Sequence, residues 1–155
     1  MERVKCEIRA KRAGEESVLL LLADENLRPL AQTAGHPERY HPDELVALLD
    51  TAEVYVADAG GEVAGYVAVE PDAETERLLV RCLCINPAHE AQAVAHQLLD
   101  WVEGLAFNRR LARLTTSVAM ADQRSLSLFE RHGFVRSPGA GAHDTVVLEK
   151  VLFAG

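Results

Sequence analysis

The sequence predicts an α/β (α+β) fold: a mixed central sheet of about seven strands flanked by about four helices. Three observations point there. First, the apolar pattern alternates between the two periods in the order strand, two helices, three strands, helix, strand, helix, two strands. Second, Leu78, Leu79, Val80, Leu83 and Ile85 form an apolar run too dense for an exposed strand, which places it centrally in a sheet. Third, that run turns at Asn86-Pro87 and becomes a long helix, with Val94, Leu98, Trp101, Val102 and Leu105 recurring at helical spacing. A strand, a tight turn and a helix N-terminus can together hold an anion, because free backbone N–H groups and the helix dipole converge there.

Taken in order, Val4 to Arg12 alternates apolar and charged residues, as a half-buried strand does, and Gly14 breaks it. Glu15 to Leu30 reads as a helix bearing Val18, Leu19, Leu22 and Leu27, with Pro29 marking its end. Ala31 to His41 reads as a loop punctuated by Gly35 and Pro37. Pro42 suits a first helical position and Asp43-Glu44 a first turn, and Leu45, Leu48 and Leu49 form the inner face of that short helix. Val54–Ala59, with Val54, Val56 and Tyr55 as candidates for packing, and Val63–Val69, with Val63, Gly65, Val67 and Val69 on one face, are strands joined at Gly60-Gly61, a hairpin signal. Pro71–Glu76 is an acidic loop before the central strand. After the long helix, Leu111–Met120 is a strand and Ala121–His132 a helix carrying Leu126, Leu128 and Phe129, stopped by Gly133. Phe134-Val135 opens a strand, Ser137–Ala142 is a flexible loop, and Thr145–Leu152 is the last strand.

The chain of 155 residues suits one domain spanning 1–155, and its 48% apolar content suits a packed core. The charge of −8, from 24 acidic and 16 basic residues, argues against nucleic acid as a partner, since phosphate binding needs clustered Lys and Arg. It tolerates a cationic substrate such as an amine. No apolar stretch approaches a membrane span and MERVKCEIRAKR lacks a signal-peptide core, so no membrane association and a cytoplasmic location are expected. Three cysteines do not suggest a disulfide framework. Cys82 and Cys84 fall on one face of the central strand and read as small buried hydrophobes, because metal binding would need further ligands that no motif supplies. His89 and His96 lack partners at four-residue spacing, so no metal is expected.

Two stretches resemble the GNAT N-acetyltransferase superfamily. CLCINPAHEAQAVAHQLLDWV is similar to that family's acyl-CoA loop, a strand ending in V-x-P followed by (R/Q)-x-x-G-x-(G/A) and LL. ADQRSLSLFERHGFV is similar to N-x-x-A-x-x-L-Y-E-K-x-G-F, and Ser127–Phe134 is its more specific part. The element order matches from end to end. The resemblance implies acetyl transfer from acetyl-CoA to a small-molecule or peptide amine, and it alone suggests a homodimer. It implies that the cofactor's pyrophosphate lies on Glu90, Ala91, Gln92, Ala93, Val94 and Ala95, and its pantetheine arm beside Leu83, Cys84 and Ile85. Asp122 takes the family's asparagine position, although a helix N-cap is its commoner role, and Arg124 could meet phosphates.

Three departures carry physical weight. Glu90 replaces the family's Arg or Gln; two like unit charges about 4 Å apart repel by roughly 4 kcal/mol at an effective dielectric near 20, and far less once solvent screens them. Ala93 replaces the central glycine, giving up conformational freedom while keeping its N–H. Phe129 replaces the tyrosine that often protonates the leaving thiolate, and phenylalanine has no proton to give. Two readings therefore stand: an acetyl-CoA-dependent N-acyltransferase, and a non-catalytic GNAT-like domain that binds acyl-CoA or a protein partner. Glu70, Asp72, Glu74 and Glu76 are candidates for attracting an amine but suit a solvated loop better, and Tyr40 and His41 fall where the family shapes its acceptor pocket.

Overall fold

Four helices and a seven-stranded mixed sheet make up the protein, in a computed structural model that describes residues 5–33, 41–137 and 144–153. The elements are β1 (Glu7–Ala10), α1 (Glu16–Thr33), α2 (Pro42–Thr51), β2 (Glu53–Ala59), β3 (Glu62–Asp72), β4 (Arg77–Ile85), α3 (Ala91–Asn108), β5 (Arg113–Ala119), α4 (Gln123–Arg131), β6 (Val135–Ser137) and β7 (Thr145–Val151). Their order is the one expected. The sheet runs β1-β2-β3-β4-β5-β7-β6, so β4 is central as its apolar density requires. β4 pairs parallel with β5, whereas β1–β2, β5–β7 and β6–β7 are antiparallel.

Two compact units are distinguishable, Met1–Ala68 with Cys82–Leu98, and Val69–Arg81 with Leu99–Gly155. In the first, Leu19, Leu22 and Ala23 of α1, Leu45 and Leu49 of α2, Val54, Val56, Tyr66, Ala68 and Cys84 form one buried cluster. The hairpin between β2 and β3 turns at Gly60 (φ 65°) and Gly61 (φ 95°), a pair of left-handed residues that a type I′ turn demands. Arg9 of β1 is held by Glu15 at 2.7 Å and by Asp58 at 3.2 Å, which is why a charged side chain sits mostly buried in that strand. In the second unit Leu114, Val118, Leu126, Phe129, Phe134 and Leu148 are buried. Gly133, at φ 97°, ends the α4 segment as expected.

Several boundaries differ from expectation. Pro29 lies inside α1, which continues to Thr33. Proline removes one backbone donor and disfavours a helix interior, but that is a local preference that surrounding structure can override. Pro71 and Asp72 belong to β3 and not to a loop; Pro71 is exposed at the strand's far end, where a missing donor is tolerated. β3 is buried from Ala64 to Val69 on both faces, so the single inward face expected for Val63–Val69 understates its burial. Leu111 and Ala112 precede β5: the Leu111 N–H returns to the Ala106 carbonyl at 2.9 Å and so belongs to the end of α3. Trp101 is 42% exposed, while Val94, Leu98 and Val102 are fully buried; the inner stripe of α3 is narrower than its apolar pattern, and indole tolerates an edge position. Gly35, Pro37, Tyr40 and the loop from 138 to 142 lie outside the described residues.

Candidate functional site

The strand–turn–helix at Cys82–Leu98 is built by three local devices. The first is an Asx turn: the Asn86 side-chain oxygen accepts the Ala88 N–H at 3.0 Å and its carbonyl accepts the His89 N–H at 3.0 Å. Asn86 also donates from its side chain to the Val63 carbonyl at 3.2 Å, and its N–H reaches the Ala64 carbonyl at 2.8 Å, which fixes the turn to β3. Pro87 follows where no donor is needed. The second is the start of α3, where the Val94 N–H bonds to the Glu90 carbonyl at 3.1 Å. The N–H groups of Ala91, Gln92 and Ala93 therefore belong to the helix's first turn, which lacks carbonyls one turn back, and the positive end of the dipole sits among them. The third is close approach at Gly65. A Cβ there would lie 2.8 Å from the Cys84 carbonyl oxygen, 3.0 Å from Ile85 Cδ1 and 3.1 Å from Val94 Cγ1. The missing side chain lets β3 sit against both the end of β4 and the start of α3.

The expected pantetheine positions sit as follows. Leu83 is half-buried, whereas Cys84 and Ile85 are buried. The Ile85 carbonyl accepts the Asn26 side-chain amide at 3.2 Å, and Asn26 also reaches the Leu22 carbonyl at 2.8 Å, so α1 is tied to the tip of β4. Cys82 and Cys84 do share a face, with sulfurs 3.4 Å apart, and Cys82 Sγ lies 4.0 Å from the Tyr66 hydroxyl. The hydrogen bond that it shares with Cys82 and burial together push the Cys84 thiol up, and burial above all pushes the Tyr66 hydroxyl up, so both stay neutral at ordinary pH. Along the expected pyrophosphate loop, Glu90 and Gln92 are exposed, Ala91 and Ala93 half-buried, and Val94 and Ala95 buried. Exposure of Glu90 removes most of the repulsion that its carboxylate would otherwise exert.

Asp122 and Arg124 belong to the second unit. Asp122 caps α4, its side chain accepting the Ser125 N–H at 3.0 Å, and Arg124 is exposed in the first turn. Phe129 is 3% exposed and packs edge-on against Phe134 at 5.1 Å between ring centres, so it is a core residue. The ladder between β4 and β5 runs from Arg77–Arg113 to Val80–Thr116, while the strands go on to Ile85 and Ala119. Thr116 closes it by donating its hydroxyl to the Val80 carbonyl at 2.9 Å. The acidic stretch is structural in part: Glu70 pairs with Arg81 at 3.2 Å, and Asp72 accepts the Thr75 N–H at 3.4 Å. His41 is the N-cap residue of α2. Among the described residues one group of metal-ligand type comes together, Asp100, Glu103 and His132. Sequence reading missed it, and missed Asn26 and the steric role of Gly65, because each depends on contacts between distant segments.

The model of the acetyltransferase (GNAT) family matches residues 18–134, which spans the chain from α1 to the end of the α4 segment. The chain belongs to the GNAT acetyltransferase family. Solved structures agree on the fold. PaiA N-acetyltransferase from Thermoplasma acidophilum, in complex with coenzyme A, superposes with a TM-score of 0.77 at 15% identity, over 94% of this chain and 98% of that one. YncA from Salmonella typhimurium, with its cofactor acetyl-CoA, gives 0.72 at 16%, covering 97% and 96%. Spermidine N-acetyltransferase from Vibrio cholerae, in complex with CoA and spermine, gives 0.71 at 21%, covering 95% of each chain. No curated relative matches the sequence. No helix among the described residues is long and apolar enough to cross a membrane. Within this GNAT chain the first motif stretch falls inside the matched span, on β4 and α3, and the second does so as far as Phe134, on α4 and the turn after it.

Proposed function

We propose that this GNAT domain is an N-acetyltransferase that moves the acetyl group of acetyl-CoA to an amine. The observation that carries the reading is the β4–turn–α3 geometry inside the family match: an Asx turn delivers the chain into a helix whose first-turn N–H groups lie beside an exposed Glu90. Acetyl-CoA supplies a thioester carbonyl that an amine can attack once it has lost a proton. The residues of this chain bind and orient. Backbone N–H groups of Ala91, Gln92 and Ala93 face the pyrophosphate charge with the helix dipole behind them. The main chain of Leu83, Cys84 and Ile85 lines the pantetheine arm, held in place from beneath by Gly65 and Asn26. Ala93 retains the N–H that matters, and at helical dihedrals it needs no glycine. Catalysis rests on proximity and on hydrogen bonds to the developing oxyanion, because Phe129 has no proton to donate and is buried. The acceptor is a small-molecule or peptide amine, and the expected setting is cytoplasmic.

The second reading, a domain that binds acyl-CoA or a protein partner without turnover, draws its support from Phe129. One assay series separates the two. A thermal melt with acetyl-CoA at about 100 times its dissociation constant should add about 2.7 kcal/mol, a rise of roughly 5–10 °C for a domain of this size. Release of free CoA thiol across a panel of amines then reads turnover. A melt shift with thiol release supports the enzyme. A shift without release for any amine supports binding alone, and no shift removes the cofactor site.

A further inference from the structure

The second unit gathers three metal-ligand side chains, none of them in the Leu83–Ala95 stretch that carries the proposed acyl-CoA site. Asp100 and Glu103 lie one turn apart on α3 and so share a face. His132 caps the end of α4, and its side chain is only 6% exposed. Its Nε2 lies 3.4 Å from Asp100 Oδ1 and 3.6 Å from Glu103 Oε2. The three donor atoms all fall within 4.8 Å of one another. A tetrahedral zinc ion with bonds near 2.0–2.1 Å holds its donors about 3.3–3.4 Å apart. Both edges that start at His132 already come within a few tenths of an ångström of that spacing. The remaining edge can close through Asp100, whose side chain is 74% exposed and free to rotate.

We propose that Asp100, Glu103 and His132 form a divalent transition-metal site, with zinc the fitting ion and water completing the shell. One imidazole and two carboxylates make a nitrogen–oxygen donor set that suits zinc. One protein cation already uses the site. Lys150 Nζ lies 2.8 Å from Glu103 Oε2 and donates to the His132 carbonyl at 2.9 Å. Two carboxylates against one ammonium leave a net charge of −1 when His132 is neutral. An incoming dication displaces Lys150 from Glu103, while Lys150 keeps its bond to the His132 carbonyl. Zinc binding therefore competes with a lysine built into the fold.

The test uses the full chain, stripped with a chelator and titrated with zinc alone against a chromophoric chelator, and then with cobalt for its visible spectrum. One zinc per chain is expected. His132→Asn and Asp100→Asn should each weaken it by about tenfold or more, and Lys150→Met should tighten it several-fold, since it removes the competing charge. Cobalt should show the intense visible bands of a tetrahedral site, without the ultraviolet charge-transfer band of a thiolate. Because Asp100 is largely exposed, its variant keeps the fold and separates loss of a ligand from loss of structure. Zinc binding that is absent, that survives Asp100→Asn unchanged, that weakens in Lys150→Met, or that brings thiolate charge transfer from Cys82 and Cys84, would overturn the assignment.

Discussion

Gly65→Ala probes the close approach on which the β4–α3 junction depends. The new methyl group would sit 2.8 Å from the Cys84 carbonyl oxygen, 3.0 Å from Ile85 Cδ1 and 3.1 Å from Val94 Cγ1. Ordinary contact begins near 3.4 Å, so relief requires movements of about 0.3–0.6 Å. The Cys84 oxygen is backbone and cannot rotate away; Ile85 and Val94 are buried at 8% and 0% exposure and have nowhere to go. Overpacking of this kind costs typically about 1–3 kcal/mol. Against that stands a gain of about 0.4–1 kcal/mol from the stiffer unfolded chain, available because Gly65 does not occupy the left-handed region. The net loss comes to roughly 1–2 kcal/mol, or a fall in Tm of about 2–8 °C for a domain of this size. Urea denaturation should show a lower midpoint at unchanged slope. Acetyl-CoA affinity, read from the ligand-induced melt shift, should fall as well if the cofactor binds where proposed, since the displaced atoms lie at the end of β4 and the first turns of α3. A Tm equal to or above that of the wild type would mean that β3 is not pressed against β4 at this point.

Other expectations follow from single contacts. Replacing the exposed Glu90 by arginine should tighten acetyl-CoA binding about three- to tenfold if first-turn N–H groups hold the pyrophosphate, with the gain fading as salt is added; isothermal titration at two ionic strengths would show this, and an unchanged affinity would move the phosphates elsewhere. Phe129→Ala removes a ring buried to 3% and its edge-on partner contact with Phe134, which should cost about 3–5 kcal/mol in chemical denaturation. The Arg9 guanidinium beside Glu15 holds that carboxyl down at about 2, below its ordinary 4.5. The native state therefore favours ionised Glu15: the contribution is fully present above pH 4.5 and is lost as pH falls from there towards 2. Glu15→Gln should lower Tm at pH 7 and converge with the wild type near pH 2; parallel curves across that window would count against the pair.

How much of this was legible beforehand depends on how far each cause reaches along the chain. Local chemistry was enough for the element order, for the Gly60-Gly61 hairpin, for Pro42 opening α2, for Asp122 as a cap and for Gly133 as a stop, because each is a property of a few consecutive residues. The density of apolar residues from Leu78 to Ile85 was enough to place β4 centrally, since so dense an apolar run suits an interior strand better than an exposed edge. The motif stretches were enough for the family, because they repeat a known sequence pattern on the right elements. The tertiary structure alone decided the rest. It carried α1 past Pro29, where local preference said stop, and left Trp101 at the edge of the stripe in which Val94, Leu98 and Val102 are buried. It turned Gly65 from a mere member of a strand face into the point where β3, β4 and α3 touch. It set Asn26 on the Ile85 carbonyl, and it brought His132 to Asp100 and Glu103. Those are meetings between segments tens of residues apart, and periodicity records which face a residue occupies but not what that face will meet.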